Sequence, residues 1–267
     1  MRGVWRPSET VDDLAAMAAA VVGASPDGAV VAGVTAAQLH GLWLPDLGTR
    51  PIELILRNDA PVPEAHSGSR RRELRGRRRR LHPDELVLLD GLPITSIERT
   101  WMDLAEYLGL ADLIAAGDSA LRSGVSVLDL RRVIGRAVHR RGVVRARAAV
   151  PLLNARSRSR PESHLRYTVV SGGLPEPAVN EPIFNAEGEW LAEPDLSYDD
   201  VKLALEYNGA LHGTAQRMRR DITRAVDIAS RGGWRTVTFG PAEVFGRPDQ
   251  VVSLVRELRR LGGPRGR

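Results

Sequence analysis

The 267-residue sequence contains no cysteine, which excludes disulfide scaffolds, zinc fingers, cysteine nucleophiles and thiolate-held clusters. Lysine is almost absent: of 38 basic residues, Lys202 is the sole lysine and the rest are arginine. Beside so many Ala, Gly and Val, that bias reflects a GC-rich genome more than a function. Aromatic residues make up only 4%, which disfavours binding of single strands by base stacking. No apolar run approaches the ~20 residues needed to cross a bilayer. The first apolar stretch, Leu14 to Val22, follows Glu9, Asp12 and Asp13, the wrong flank for a signal peptide. The expectation is a cytoplasmic protein with no membrane partner.

Positive charge is present and clustered. The formal net charge is +5, yet residues 70–80 carry eight Arg and one Glu, and residues 131–160 carry ten Arg and no acid. Clusters of this kind attract phosphate by counterion release; they are equally compatible with a solvated helix face and an exposed loop. The expected phosphate contacts are Arg70, Arg71, Arg72, Arg77, Arg78, Arg79 and Arg80 from the first cluster, and Arg140, Arg141, Arg145 and Arg147 from the second.

The chain length suits one large or two modest domains. A polar Ser/Arg-rich stretch ending in Pro, residues 154–161, marks the break. Before it, Val11 to Val22 and Gly33 to Gly41 read as helices, the second with Thr35 as its N-cap. Pro51 to Arg57 alternates like a strand, and residues 70–89 supply one or two more, with Arg77 to Arg80 at a turn or edge. Four helices follow: Ile97 to Leu108, Leu110 to Ser123, Val127 to Ala137 and Arg141 to Asn154. Thr95 or Ser96, with Glu98 or Arg99 in the first turn, forms a capping box for the first of them.

After the break the pattern is mixed α/β. Glu162 to Ser171 reads as a helix, with Pro161 in its first turn. Ala178 to Phe184 and Glu189 to Leu196 form a hairpin around the turn at 185–188. Val201 to Asn208 is a largely apolar central strand, Thr214 to Ser230 a helix, Trp234 to Phe239 a strand and Pro248 to Leu261 a last helix. The order is αβββαβα, with residues 263–267 a disordered tail.

Acidic residues stand in this second region where apolar ones would cost less. Glu206 ends an otherwise apolar strand, and a buried unpaired carboxylate costs several kcal/mol. Asp195 ends the preceding strand; if the two strands are antiparallel neighbours, the carboxylates approach one another. Two carboxylates sharing a site need a cation or a shared proton. With no His/Cys ligand set, Mg2+ or Mn2+ is the natural guess, held by Asp195 and Glu206. Strand alternation puts Lys202, Ala204, Glu206 and Asn208 on one face. Asn208 is then a neutral oxygen ligand or substrate contact, His212 follows beyond Gly209, and Glu162 could reach the cluster from the opening helix. As a bare residue, Glu162 is also a first-turn acid favoured by the helix dipole, Asp221 and Arg224 a helix ion pair, and Trp234 and Phe239 core.

These residues also carry a resemblance. Ser-Arg-Pro-Glu162-Ser-His-Leu, Glu-Pro-Asp195-Leu, Leu-Glu206-Tyr-Asn208-Gly-Ala-Leu-His212, Arg-Asp221-Ile-Thr-Arg224 and Gly-Gly-Trp234 together resemble the very-short-patch-repair-like endonucleases of the PD-(D/E)XK superfamily over about residues 157–261. The resemblance implies a restriction-endonuclease-like domain over 157–262 and metal-dependent hydrolysis of phosphodiesters in double-stranded DNA. It implies Asp195 and Glu206 as metal ligands, Glu162 completing the cluster through water or metal, and His212 assisting phosphate or water. One departure stands out, at position 208: two residues after Glu206, where the superfamily's lysine is usual and the group has Asp, this chain has Asn208.

The first region, over about residues 10–125, resembles the AbiEi-type antitoxin and regulator family in two segments, Val31-Ala-Gly-Val-Thr-Ala-Ala-Gln-Leu-His-Gly-Leu-Trp-Leu-Pro45 and Asp90-Gly-Leu-Pro-Ile-Thr-Ser-Ile-Glu-Arg-Thr-Trp-Met-Asp-Leu-Ala105. It implies a DNA-binding or regulatory region over 1–156: a winged helix at 10–45, a mixed part at 46–95 and a helical part at 96–156, with the helix from Thr35 entering a DNA groove. The preferred expectation is a two-domain DNA endonuclease. The alternative is a non-catalytic DNA-binding regulator with a degenerate nuclease fold. A homodimer stays open.

Overall fold

The structure, a computed structural model, describes residues 7–48, 50–56, 74–209, 226 and 228–262. The chain is mixed α/β and divides into two units between Leu153 and Asn154. Among the described residues no helix is long and apolar enough to cross a membrane.

The first unit is built on a five-stranded mixed sheet, ordered β3-β2-β1-β5-β4. Its elements are α1 (Pro7–Gly23), β1 (Val30–Val31), α2 (Gly33–Leu39), β2 (Ile52–Leu56), β3 (Leu74–Arg78), β4 (Leu86–Leu89) and β5 (Leu92–Thr95), followed by α3 (Ile97–Leu104), α4 (Leu110–Arg122), α5 (Val127–Arg136) and α6 (Val143–Ala149). Strand β2 does not alternate as expected: all five residues are buried, Glu53 included, because it lies inside the sheet beneath α2. Ala18, Val31, Ala36, Leu54, Leu56 and Ile94 form the core there.

Two readings of this unit are corrected. Thr35 is not an N-cap; it lies inside α2, whose N-cap position is Ala32. Its Oγ1 instead accepts from Glu53 N at 3.0 Å, pinning helix to strand. Nor does α2 present a recognition surface, since residues 33–37 are all buried; it is a packed core helix. The cap of α3 is Ser96, which accepts from Arg99 N at 3.4 Å, while Thr95 pairs with Thr100.

The second unit opens with α7 (Arg160–Ser171), capped by Ser159. Then come β6 (Ala178–Val179), β7 (Ile183–Phe184), β8 (Trp190–Ala192), β9 (Leu196–Tyr198), β10 (Leu203–Tyr207), β11 (Arg235–Phe239), α8 (Pro241–Gly246) and α9 (Pro248–Gly262). Of the helix expected over 214–230, only its end is described, helical over 228–232. The sheet order is β11-β10-β9-β6. Strands β6, β9 and β10 are antiparallel, and β11 runs parallel to β10.

Alternation sorts the two faces of this sheet. Leu196, Tyr198, Leu203 and Leu205 join Leu165 and Val169 of α7 and Val251 and Val255 of α9 in one cluster. Ala204 joins Ile183, Leu191, Ala192, Ile228 and Trp234 in the other. The single strand expected over 178–184 is two. Asn180, in the left-handed region at φ 47, turns the chain off β6, and β7 pairs with β8 as a separate hairpin. Its turn is held by Asn185 Oδ1, which accepts from Glu187 N at 3.1 Å and Glu189 N at 2.7 Å.

Candidate active site

Asp195 and Glu206 each lie one residue beyond the last rung of the β9–β10 ladder. Leu203 pairs with Tyr198, Ala204 with Ser197 and Leu205 with Leu196, and the pairing stops there. By alternation Glu206 shares the face of Ala204. Tyr207 N donates to Asp195 Oδ2 at 2.7 Å, fixing that carboxylate against the next strand. Both acids are half-buried. Asn208 follows on the same face by alternation; it is exposed, and its backbone N donates to Phe239 O at 2.9 Å, extending the ladder to β11.

Lys202, at φ 52, lies just before the strand begins, with Nζ 3.6 Å from Asp199 and 5.2 Å from the centre of the Trp234 ring. Trp234 and Phe239 are core, as expected.

Glu162 is buried at the first turn of α7. Its Oε1 accepts from Ser159 Oγ at 2.8 Å; its Oε2 accepts from Arg158 N and Asn180 Nδ2, each at 2.8 Å. Asn180 in turn donates its backbone N to Asp195 O at 3.0 Å. Glu162 therefore connects to Asp195 through one residue. Sequence reasoning did not single out Asn180; its only local signal was an Asn placed between a short strand and Glu-Pro.

Among the described residues, no three His, Asp or Glu side chains are grouped to hold a metal ion. The donor chemistry of Asp195 and Glu206 suits Mg2+, a hard cation commonly held by one or two carboxylates, with water and phosphate completing the shell. His212, Asp221, Arg224 and Arg70 to Arg72 lie outside the described residues.

The remaining expected phosphate contacts divide into two sets. Arg77 and Arg79 each donate to Glu106 at 2.7 Å, and Arg140 pairs with Asp103 and lies 3.7 Å from Glu106. Burial alone would raise the Glu106 carboxyl, but Arg77 and Arg79 outweigh it and hold it below the ordinary range. Arg145 donates to Ala105 O at 2.8 Å. Arg78, Arg80, Arg141 and Arg147 are exposed. Glu53, beside this cluster, is pushed up by burial, against the pull of Arg77 and Arg75. Gly33 packs against it so closely that a Cβ there would come 1.9 Å from Glu53 Oε2, and at φ 59 Gly33 also needs left-handed freedom.

No protein-family model matches the chain, and no solved structure gives a significant match. Two uncharacterized proteins of Mycobacterium tuberculosis, one from strain ATCC 25618 / H37Rv and one from strain CDC 1551 / Oshkosh, are each 30% identical to it over 178 residues. The match covers 66% of this chain, and the chain spans 65% of the length of each relative.

Proposed function

We propose that this chain is a divalent-metal-dependent DNA endonuclease of the very-short-patch-repair-like group in the PD-(D/E)XK superfamily. Its first unit would be an AbiEi-type DNA-binding or regulatory part. One observation carries the reading: Tyr207 N–H, on the strand that holds Glu206, binds the Asp195 carboxylate, in a sheet where β6, β9 and β10 are antiparallel and β11 runs parallel to β10. That sheet supports the restriction-endonuclease-like domain which the sequence resemblance implies.

In this reading Asp195 and Glu206 hold Mg2+ or Mn2+, which when bound polarises a phosphoryl oxygen and lowers the pKa of an attacking water. Tyr207 N–H fixes the Asp195 carboxylate, so its ligand geometry is set before metal arrives. Asn208 offers a neutral amide oxygen beside Glu206. Glu162 completes the acidic corner through water, and His212 assists phosphate. The exposed Arg78, Arg80, Arg141 and Arg147 supply contacts to the phosphates of duplex DNA, which position without specifying sequence. The proposed setting is the cytoplasm.

A second reading, a non-catalytic DNA-binding regulator, is favoured by one specific feature: position 208, two residues beyond Glu206, holds Asn and neither an acid nor a lysine. A supercoiled-plasmid assay with Mg2+ or Mn2+, comparing the full chain with Glu206→Ala, separates the two. The nuclease reading expects metal-dependent nicking that the variant loses. Intact plasmid with both proteins, while salt-sensitive DNA binding persists, selects the regulator.

A further inference from the structure

We propose that Asn180 is the positioning residue of this site, setting the Asp195 metal ligand in place relative to Glu162; the inference rests on the nuclease reading above. Asn180 is 5% exposed, and its polar groups reach three segments. Its Nδ2 donates to Glu162 Oε2 at 2.8 Å and to Arg156 O at 2.9 Å. Its backbone N donates to Asp195 O at 3.0 Å, and its carbonyl accepts from Arg156 Nη2 at 3.2 Å. The side chain thus joins the first turn of α7 to the Arg156 loop, and the backbone of the same residue joins both to Asp195, just before β9.

The backbone adds a second argument. At φ 47 the residue sits in a region open to Gly at no steric cost and to Asn at a small one. The turn off β6 therefore demands only a residue that tolerates this conformation. It does not demand two amide donors aimed at Glu162 and Arg156. Glycine would satisfy the turn and remove both donors, which separates shape from chemistry at a single position.

The anchor matters because Asp195 lies just before β9, where the ladder with β10 stops pairing. Tyr207 N–H holds its side chain, and Asn180 N–H holds its backbone. Loosening Asn180 lets the two carboxylates drift apart without unfolding the sheet. Groups that orient metal ligands from outside the coordination shell commonly carry a 10–100-fold effect on affinity.

The test is Mn2+ binding to the full chain, read by electron paramagnetic resonance of the free ion, for wild type, Asn180→Gly and Asn180→Asp, with a thermal melt of each. Asn180→Gly is expected to stay folded, with a melt lowered by the loss of two buried hydrogen bonds, and to bind Mn2+ roughly tenfold more weakly. Asn180→Asp keeps the shape but puts an acceptor where the donor stood, and is expected to weaken binding as well. Wild-type affinity in a folded Asn180→Gly chain would overturn the inference while leaving the nuclease reading intact. Failure of the wild-type chain to bind Mn2+ would overturn both.

Discussion

Arg99 and Glu85 form an ion pair that is buried on both sides, with Arg99 Nη1 2.5 Å from Glu85 Oε2. The same guanidinium reaches Asp103 through Nε at 3.2 Å, so one arginine joins the turn before β4 to helix α3. Removing one partner of such a pair leaves an uncompensated buried charge. Glu85→Ala or Arg99→Ala is expected to cost about 3–5 kcal/mol in urea unfolding. The double variant Glu85→Leu/Arg99→Met should lose far less, because neither charge is then stranded.

Glu53 gives a pH dependence of definite sign. Burial raises its carboxyl above the ordinary value of 4.5. Between that value and the raised one, the folded chain keeps a proton that the unfolded chain has released. Stability therefore rises as pH falls through this window and is level below it. Above the raised value the wild-type chain carries the full penalty of the buried charge. Glu53→Gln is expected to be more stable than wild type at pH 7, with the margin shrinking to nothing as pH falls below 4.5. Urea unfolding across a pH series checks this; a margin that grows on acidification contradicts it.

The two sets of arginines should separate in a binding assay. Arg80→Gln, Arg141→Gln and Arg147→Gln are expected to leave the fold intact and weaken DNA binding, each lowering the slope of log affinity against log salt by about 0.9. Arg77→Ala and Arg140→Ala strip partners from Glu106 and Asp103. They should cost about 1–3 kcal/mol of stability, whatever they do to DNA.

Metal binding should follow Asp195 and Glu206. Asp195→Ala is expected to abolish Mn2+ binding by calorimetry, and unchanged binding would count heavily against the nuclease reading. Asn208→Asp adds a negative oxygen ligand beside Glu206 and should tighten Mn2+ binding, since cation affinity rises with ligand charge.

The elements with strong periodicity were legible in the sequence. The run from Val201 to Asn208 is strand β10 with its ends trimmed, and its antiparallel neighbour was expected too, although Asp195 precedes β9 where it was expected to end a strand. Helices α3, α4, α5 and α9 lie close to their apolar patterns. What escaped depended on distant partners or backbone sign. Arg77 and Arg79 read as surface charge because Glu106 lies 29 and 27 residues away, and no local pattern links them. Thr35 had the residue type of a cap, but Glu53 N, 18 residues on, decides its role. The split of β6 from β7 hangs on the left-handed Asn180, and a single Asn in an apolar stretch does not announce its φ.

Lys202 stands just before β10, the strand that carries Glu206, with its ammonium over the Trp234 ring. Because the sequence has one lysine, reductive methylation with isotope-labelled formaldehyde would give a single lysine resonance, displaced by the ring current of that tryptophan. The chain thus carries its own magnetic reporter at the entry to β10. Ligand binding at the far end of the strand could be followed there without introducing any substitution.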